Sequence, residues 1–323
     1  MKTKLKSLLG AGLLLASTVV HAAWPERAIT LVVPFPPGGS TDVVGRLVSK
    51  ELSEHLGVSV VVENRSGAAG NIGSRHVANA RPDGYTLLLG TSAQSISAAL
   101  YKAPGYDFIN DLDAIATVND GPLLLVTRPD WKVKNVRELV EYAKQNPGKV
   151  TYASAGHGTS AHMAGEVFSL LNGIDMLHVP YQGASPAMTD LMSGQVDMAF
   201  DLMVSARQYV EDDMVNFVGM ATRERSDLVP DWETISEQYP EVLGNMHETA
   251  WNVVMAPKGT PDDVIQKLSA ALKEILNKQE VRERFATLGN VTFWLDVEET
   301  REFIKNDVEK WKRVVEDAKI QKL

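Results

Sequence analysis

The chain has no cysteine. Its absence excludes disulfide scaffolds, thiolate metal sites, cysteine nucleophiles and a cysteine-linked lipid anchor. There is no basic cluster either: 32 Lys and Arg face 41 Asp and Glu, for a formal charge of −9 across 323 residues. An acidic chain without a basic patch argues against nucleic acid and anionic membrane surfaces as partners. Internal repeats and low-complexity linkers are missing. No apolar run reaches the roughly 20 residues of a membrane-spanning helix, so no stable membrane insertion is expected.

What is present starts with a targeting pattern. Lys2, Lys4 and Lys6 precede an uncharged stretch from Leu8 to Val20. Val20-His21-Ala22 then puts small residues at the positions that favour cleavage before Ala23. This three-part arrangement marks a secretory signal peptide over residues 1–22. Removing it takes away three lysines and no acid, which moves the net charge from −9 to −12. The mature protein is expected in the periplasm, soluble and not lipid-anchored.

Apolar runs predict strands at Ile29–Val33, Val58–Val62, Tyr85–Leu89, Leu123–Thr127, Val150–Ala153, Val196–Phe200 and Trp251–Ala256. They are short and rich in Val, Leu and Ile, as strands buried on both faces are. Helical patterns lie between them. Ser40-Thr41-Asp42 leads into one, and Val43, Val44, Leu47 and Val48 share a face of it. Ser185-Pro186 and Thr260-Pro261 read as a hydroxyl cap followed by a first-turn proline. Asp296-Val297-Glu298-Glu299 reads as a capping box, ahead of a stripe of Ile304, Val308, Trp311 and Val315. Strands alternating with helices predict an α/β fold with mainly parallel sheets. Two domains without a linker suggest interleaved lobes, with crossings at Leu123–Thr127 and Trp251–Ala256.

Two loops carry the binding chemistry. Pro34 to Asp42 follows a strand and opens a helix, with Gly38-Gly39-Ser40-Thr41 at the turn. Ala153 to Ser160 repeats the device, with Gly156, Gly158, Thr159 and Ser160. A helix start leaves N–H groups unpaired and carries partial positive charge, which suits an anion. Neither loop holds Lys or Arg, so recognition rests on backbone N–H groups and hydroxyls. Facing each other across a cleft, two such pockets fit a molecule with a carboxylate at each end. Gly90 to Gln94, with Ser92, can line the same cleft. Asp201 ends a strand and reads as a helix cap or as a cleft acid; taken alone, the cap is favoured.

Other patterns fail on spacing. Gly67-Ala68-Ala69-Gly70-Asn71-Ile72-Gly73 lacks the close Gly-x-Gly pair of a dinucleotide loop and reads as packing; no cofactor is expected. His157 and His162 are five apart, and His162 with Glu166 lacks an evident third ligand, so no metal is expected. Ser154 near His157 hints at a hydrolase, but the loop is not Gly-x-Ser-x-Gly. Trp251 and Tyr181 read as core aromatics.

The ordered set of segments resembles the receptors of the tripartite tricarboxylate transporter family, the Bug receptors. The matching residues are Ile29 to Phe35, Gly38 to Asp42, Val61 to Arg65, Gly70 to Gly73 and Pro82 to Leu87. They continue through Tyr152 to Gly156, Gly158 to His162, His178 to Tyr181, Gly194 to Asp197 and Ala256 to Pro261. The resemblance implies a type II periplasmic binding protein fold, with two lobes closing on a small organic acid. Residues 23–122 with 252–323 form one expected lobe and residues 123–251 the other. It assigns Phe35, Gly39, Ser40 and Thr41 to the ligand from one lobe. From the other it assigns Ser154, Gly156, Gly158, Thr159 and Ser160, with Ser92 and Asp201 lining the cleft. Pro36-Pro37 departs from the small residues usual there and removes two N–H donors. The implied function is a non-enzymatic, monomeric receptor that captures a carboxylate, a dicarboxylate above all. It would deliver this ligand to a two-component membrane permease of the tripartite tricarboxylate type. Presentation of the ligand to a sensor kinase, or an exported serine hydrolase using Ser154, are the alternatives.

Overall fold

The computed structural model describes residues 24–323, so the expected signal peptide lies outside the described residues. The first half of the chain gives β1 (Ile29–Val33), α1 (Ser40–Leu56), β2 (Val60–Asn64), α2 (Asn71–Ala78), β3 (Thr86–Thr91) and α3 (Ser92–Leu100). A long strand, β4 (Leu112–Thr127), leads to α4 (Val136–Gln145), β5 (Val150–Ser154), α5 (Ser160–Asn172) and β6 (Met176–Pro180). Next come α6 (Ala184–Met192), β7 (Met198–Leu202), α7 (Met203–Glu211), β8 (Asn216–Met220), α8 (Ile235–Gln238) and α9 (Pro240–Leu243). The chain closes with β9 (Thr249–Pro257), α10 (Asp262–Asn277), α11 (Gln279–Thr287), β10 (Val291–Thr292) and α12 (Val297–Asp317).

The strands line up in the order β2-β1-β3-β9-β4-β7-β5-β6, with β8 and β10 also paired to β4. The outer pairs β1–β2, β1–β3, β5–β6 and β5–β7 are parallel. Every antiparallel pair among the described residues involves β4 or β9. β4 belongs to both ends of this arrangement. Leu112 through Pro122 pairs with β9, whereas Leu123 through Thr127 pairs with β7 and β8. The change falls at Pro122, which has no N–H to give a ladder.

Separate cores follow from that division. Leu31, Val33, Leu87, Leu89 and Val254 pack with α1 and α10 in one half. Leu123, Leu125, Tyr152, Phe168 and Phe200 pack in the other. The Ile304, Val308, Trp311 and Val315 stripe is buried, but it serves both halves. Ile304 and Val308 join the cluster of Val32 and Leu88, whereas Trp311 and Val315 join that of Leu123 and Phe168. β4 and α12 therefore both run from one half to the other.

Two expected caps are corrected. The N-cap of α6 is Gly183 rather than Ser185, and that of α10 is Pro261 rather than Thr260, neither with a side-chain cap. Thr260 Oγ1 instead donates to Pro257 O at 2.8 Å, closing the preceding turn. The Asp296–Glu299 capping box forms as expected. Gly73 packs: a Cβ there would stand 2.8 Å from Arg65 O and 2.9 Å from the Pro34 side chain.

Candidate functional site

The β1–α1 loop is braced from below. Asp42, buried in the first turn of α1, accepts from the Gly38 N–H at 2.9 Å and from Arg46 Nε at 2.9 Å. Its other oxygen accepts from Asn64 Nδ2 at 2.8 Å, and the same amide donates to Phe35 O at 3.0 Å. Burial works against the charge, but these hydrogen bonds and the Arg46 guanidinium hold the carboxyl down to about 2. Gly38 turns the loop at φ 84°, a region closed to most residues. The N-cap of α1 is Gly39, which offers no side-chain bond to the first-turn N–H groups. That helix start is open to an anion.

The second loop is closed on itself. Thr159 caps α5, its hydroxyl accepting from the His162 N–H at 3.3 Å and donating to Gly156 O at 2.8 Å. The Gly156 N–H reaches Ser154 Oγ at 3.2 Å, and the Gly158 N–H reaches His162 Nδ1 at 3.2 Å. Ser154 is buried, and its Oγ lies 2.7 Å from His178 Nε2. Burial, with the neighbouring histidines, holds His162 down to about 4 and His178 to about 3.

A third helix start completes the group. Thr91 and Gln94 form a capping box on α3, and Gln94 Nε2 ties it to Ala69 O at 3.1 Å. Ser92, at the first position of α3, stands 2.9 Å from Ser160 at the first position of α5.

These helix starts surround a cleft of about 200 Å³. Phe35, Ser40, Thr41, Ser92, Thr159, Ser160 and Asp201 line it. Gly39 lines an adjoining cavity of about 450 Å³ that shares Ser40, Ala155 and Asp201. Ser154, Gly156 and Gly158 line neither; they shape the second loop from within. Sequence reasoning passed over Asn252 on β9, Asn290 ahead of β10 and the apolar Val44, Leu123 and Val204. Asn290 accepts from Asn119 Nδ2 at 2.9 Å, which fixes it beside β4. Trp251 is buried in the core as expected, and it also lines the cleft.

Asp201 is the single charged residue among those lining either cavity. The helix-cap reading is corrected: β7 runs on through Leu202, so the N-cap of α7 is Leu202, with no side-chain cap. Asp201 Oδ1 accepts the Leu202 N–H at 2.8 Å. Oδ2 is buried without a hydrogen-bond partner. Burial pushes the carboxyl up to about 6, against the nearby Ser205 hydroxyl and the hydrogen bond from Leu202. The cleft thus combines an open helix start, donor hydroxyls and one proton-hungry acid, with no Lys or Arg.

No helix of the described residues is long and apolar enough to cross a membrane. The periplasmic binding protein BugD shares 34% identity and a TM-score of 0.78, covering 93% of this chain and 100% of that one. Rpa4515 of R. palustris, solved with adipate, shares 30% identity and a TM-score of 0.82, over 93% of this chain and 100% of that one. MatC (Rpa3494) of Rhodopseudomonas palustris, solved with bound malate, shares 31% identity and a TM-score of 0.75, over 90% of this chain and 100% of that one. The expected α/β periplasmic binding protein fold is therefore the observed one. Residues 44–320 match the model of the tripartite tricarboxylate transporter family receptors, and the chain belongs to that family.

Proposed function

We propose that this protein is an exported, monomeric receptor that captures a small dicarboxylate and hands it to a two-component membrane permease of the tripartite tricarboxylate type. The observation that carries this reading is the open α1 start facing Ser92, Thr159 and Ser160 across a cleft without Lys or Arg. One carboxylate sits against the α1 start, held by backbone N–H groups and the Ser40 and Thr41 hydroxyls. Each hydrogen bond to a charged group contributes about 1.5–3 kcal/mol. Four to six of them, less the cost of ordering, fit a micromolar dissociation constant, about −8 kcal/mol. The second carboxylate meets Asp201, whose raised pKa lets it donate a shared proton. The cleft of about 200 Å³ and the adjoining cavity of about 450 Å³, which shares Ser40 and Asp201, give room for a small dicarboxylate between the α1 start and Asp201. Adipate and malate in two relatives agree with this class.

Residues 23–122 with 252–323 and residues 123–251 act as the two lobes, flexing where β4 changes partners. Ligand bound between them shifts an open–closed equilibrium, and the permease reads the closed form. Ser154 counts against hydrolysis, because its hydroxyl is buried against His178 and off the cleft.

The test is thermal melting of the mature chain against succinate, malate, adipate and monocarboxylate controls. A dicarboxylate at 100 times its dissociation constant adds about 2.7 kcal/mol of stability. If no dicarboxylate raises the melting temperature, and mass spectrometry finds none copurifying, the receptor reading fails. Ester turnover by wild type that disappears in Ser154→Ala would install the hydrolase in its place.

A further inference from the structure

Three imidazoles gather behind the second loop. His157 is exposed between Gly156 and Gly158, His162 is buried in the first turn of α5, and His178 sits half-buried on β6. Parallel pairing of β5 with β6 sets His178 opposite Tyr152, two residues from Ser154. The His162 and His178 rings stack at 4.1 Å between centroids, and the His157 ring stands nearly perpendicular to both, at 5.4 and 5.0 Å. One ring nitrogen from each lies within 4.8 Å of the other two. We propose that His157, His162 and His178 form a binding site for a divalent transition-metal ion, zinc in particular, separate from the organic-acid cleft.

The donor set selects the ion. Three imidazoles suit zinc, copper and nickel, whereas calcium and magnesium need oxygen ligands. Zinc accepts three protein nitrogens with water in the fourth tetrahedral position. The surroundings supply the second layer of contacts that such ligands use. His178 Nε2 lies 2.7 Å from Ser154 Oγ, so with Nε2–H donating there, Nδ1 keeps its lone pair for the metal. His162 Nε2 points at Glu166 Oε1, 3.6 Å away, and the Tyr152 hydroxyl holds that carboxylate. The same assignment makes Nδ1 the ligand of His162. Its long 3.2 Å bond from the Gly158 N–H is the contact the ion displaces.

Tetrahedral zinc with bonds of about 2.0–2.1 Å sets its nitrogens roughly 3.4 Å apart. The widest pair must therefore close by up to about 1.4 Å from the 4.8 Å limit. Ring lone pairs lie in plane, so ligation also requires the His162–His178 stack to open, and His157 must swing in. It is exposed, and it is flanked by Gly156 at φ 133° and Gly158 at φ 75°. The stack of Tyr152, His162 and His178 alone would be ordinary packing. The exposed His157 ring, set edge-on to both, adds a third nitrogen donor on a side open to solvent.

The test is calorimetric titration of the tag-free mature chain, stripped of metal, with Zn²⁺ alone and no organic acid. One zinc per chain at micromolar affinity or tighter is expected, unaffected by millimolar Mg²⁺. Co²⁺ in the same site should give a visible absorption band of tetrahedral intensity. His157→Ala, an exposed change, should weaken zinc at least about tenfold, since even second-layer partners of metal ligands cost 10–100-fold. Its melting temperature in EDTA should match wild type, which separates lost ligation from lost fold. No saturable binding, zinc binding unchanged in His157→Ala, or displacement by Mg²⁺ would each overturn the site. Because the titration contains no organic acid, its outcome does not depend on the carboxylate reading.

Discussion

Ser92 Oγ and Ser160 Oγ stand 2.9 Å apart, although 68 positions separate them in the chain. One begins α3 and the other begins α5, and the two helices share a core in which Ile96 and Leu100 pack with Ala161, Ala164 and Phe168, so this contact ties two helix starts together at the wall of the cleft. A hydroxyl pair of this kind contributes about 0.5–1.5 kcal/mol net. It fixes both hydroxyls where they line the cleft, so losing either one should disturb the donors presented to the ligand. Ser92→Ala and Ser160→Ala are each expected to weaken dicarboxylate binding about 2- to 10-fold. The double variant should be little worse than either single one, because both remove the same bond. Calorimetric affinities of the four proteins complete the cycle; fully additive losses would mean that the serines act on the ligand independently.

Gly39 separates close approach from folding. Its φ of −76° is open to any residue, and a Cβ there would meet only Pro36 O at 3.6 Å, an ordinary contact. Gly39→Val should therefore fold with a melting temperature near wild type. Its side chain would nevertheless stand where a carboxylate must reach the α1 start. Dicarboxylate affinity is expected to fall by two orders of magnitude or more, which about 2.7 kcal/mol of lost interaction would produce. Unchanged affinity would remove this loop from the site.

Asp42 makes the first loop an acid-sensitive brace. Its folded-state carboxyl sits at about 2, below the ordinary 3.8, so the stability it adds is present above pH 4 and is lost as pH falls toward 2. The shift corresponds to about 2 kcal/mol. Asp42→Ala also takes the partner from one Asn64 Nδ2 hydrogen and from the Gly38 N–H, and should cost about 2–4 kcal/mol at pH 7. Urea unfolding at pH 7 and pH 2.5 tests this. The gap between wild type and variant should narrow at the lower pH; an equal gap would mean that the carboxylate charge is not what braces the loop.

Legibility followed burial. β1, β5 and β9 read as apolar runs because their side chains are covered on both faces. β6 did not, because it is an edge strand whose Leu177 is 56% exposed, so no continuous apolar run marks it. The first part of β4 was hidden by Asp113, Thr117 and Asn119, which lie in a sheet that carries polar side chains on β4. Hydroxyls at helix starts made Ser40, Thr41, Thr159 and Ser160 stand out as cleft candidates. Asn290 had no such local signal, since it reaches the cleft through tertiary pairing beside β4. His178 was equally silent: strand register, not spacing along the chain, brings it to His162.

Asp201 links stability, pH and ligand choice. Burial raises its folded-state pKa to about 6, above the ordinary 3.8. The folded protein therefore binds more protons than the unfolded chain between these values. The cost of the buried charge is absent below pH 3.8, grows as pH rises and is complete above about 6. Asp201→Asn should match wild type at pH 4 and exceed it at pH 7.5 by up to about 3 kcal/mol. If the far carboxylate of the ligand shares the Asp201 proton, binding at pH 7.5 must take up a proton. Wild-type affinity should then rise about tenfold for each unit that pH falls toward 6, while Asp201→Asn stays flat. Calorimetry in buffers of different ionisation enthalpy counts that proton directly. Proton release near pH 5, where the free carboxyl still holds most of its proton, would instead assign Asp201 to a ligand ammonium or hydroxyl, and a wild-type affinity flat from pH 5 to 7.5 would take Asp201 out of contact with the ligand altogether.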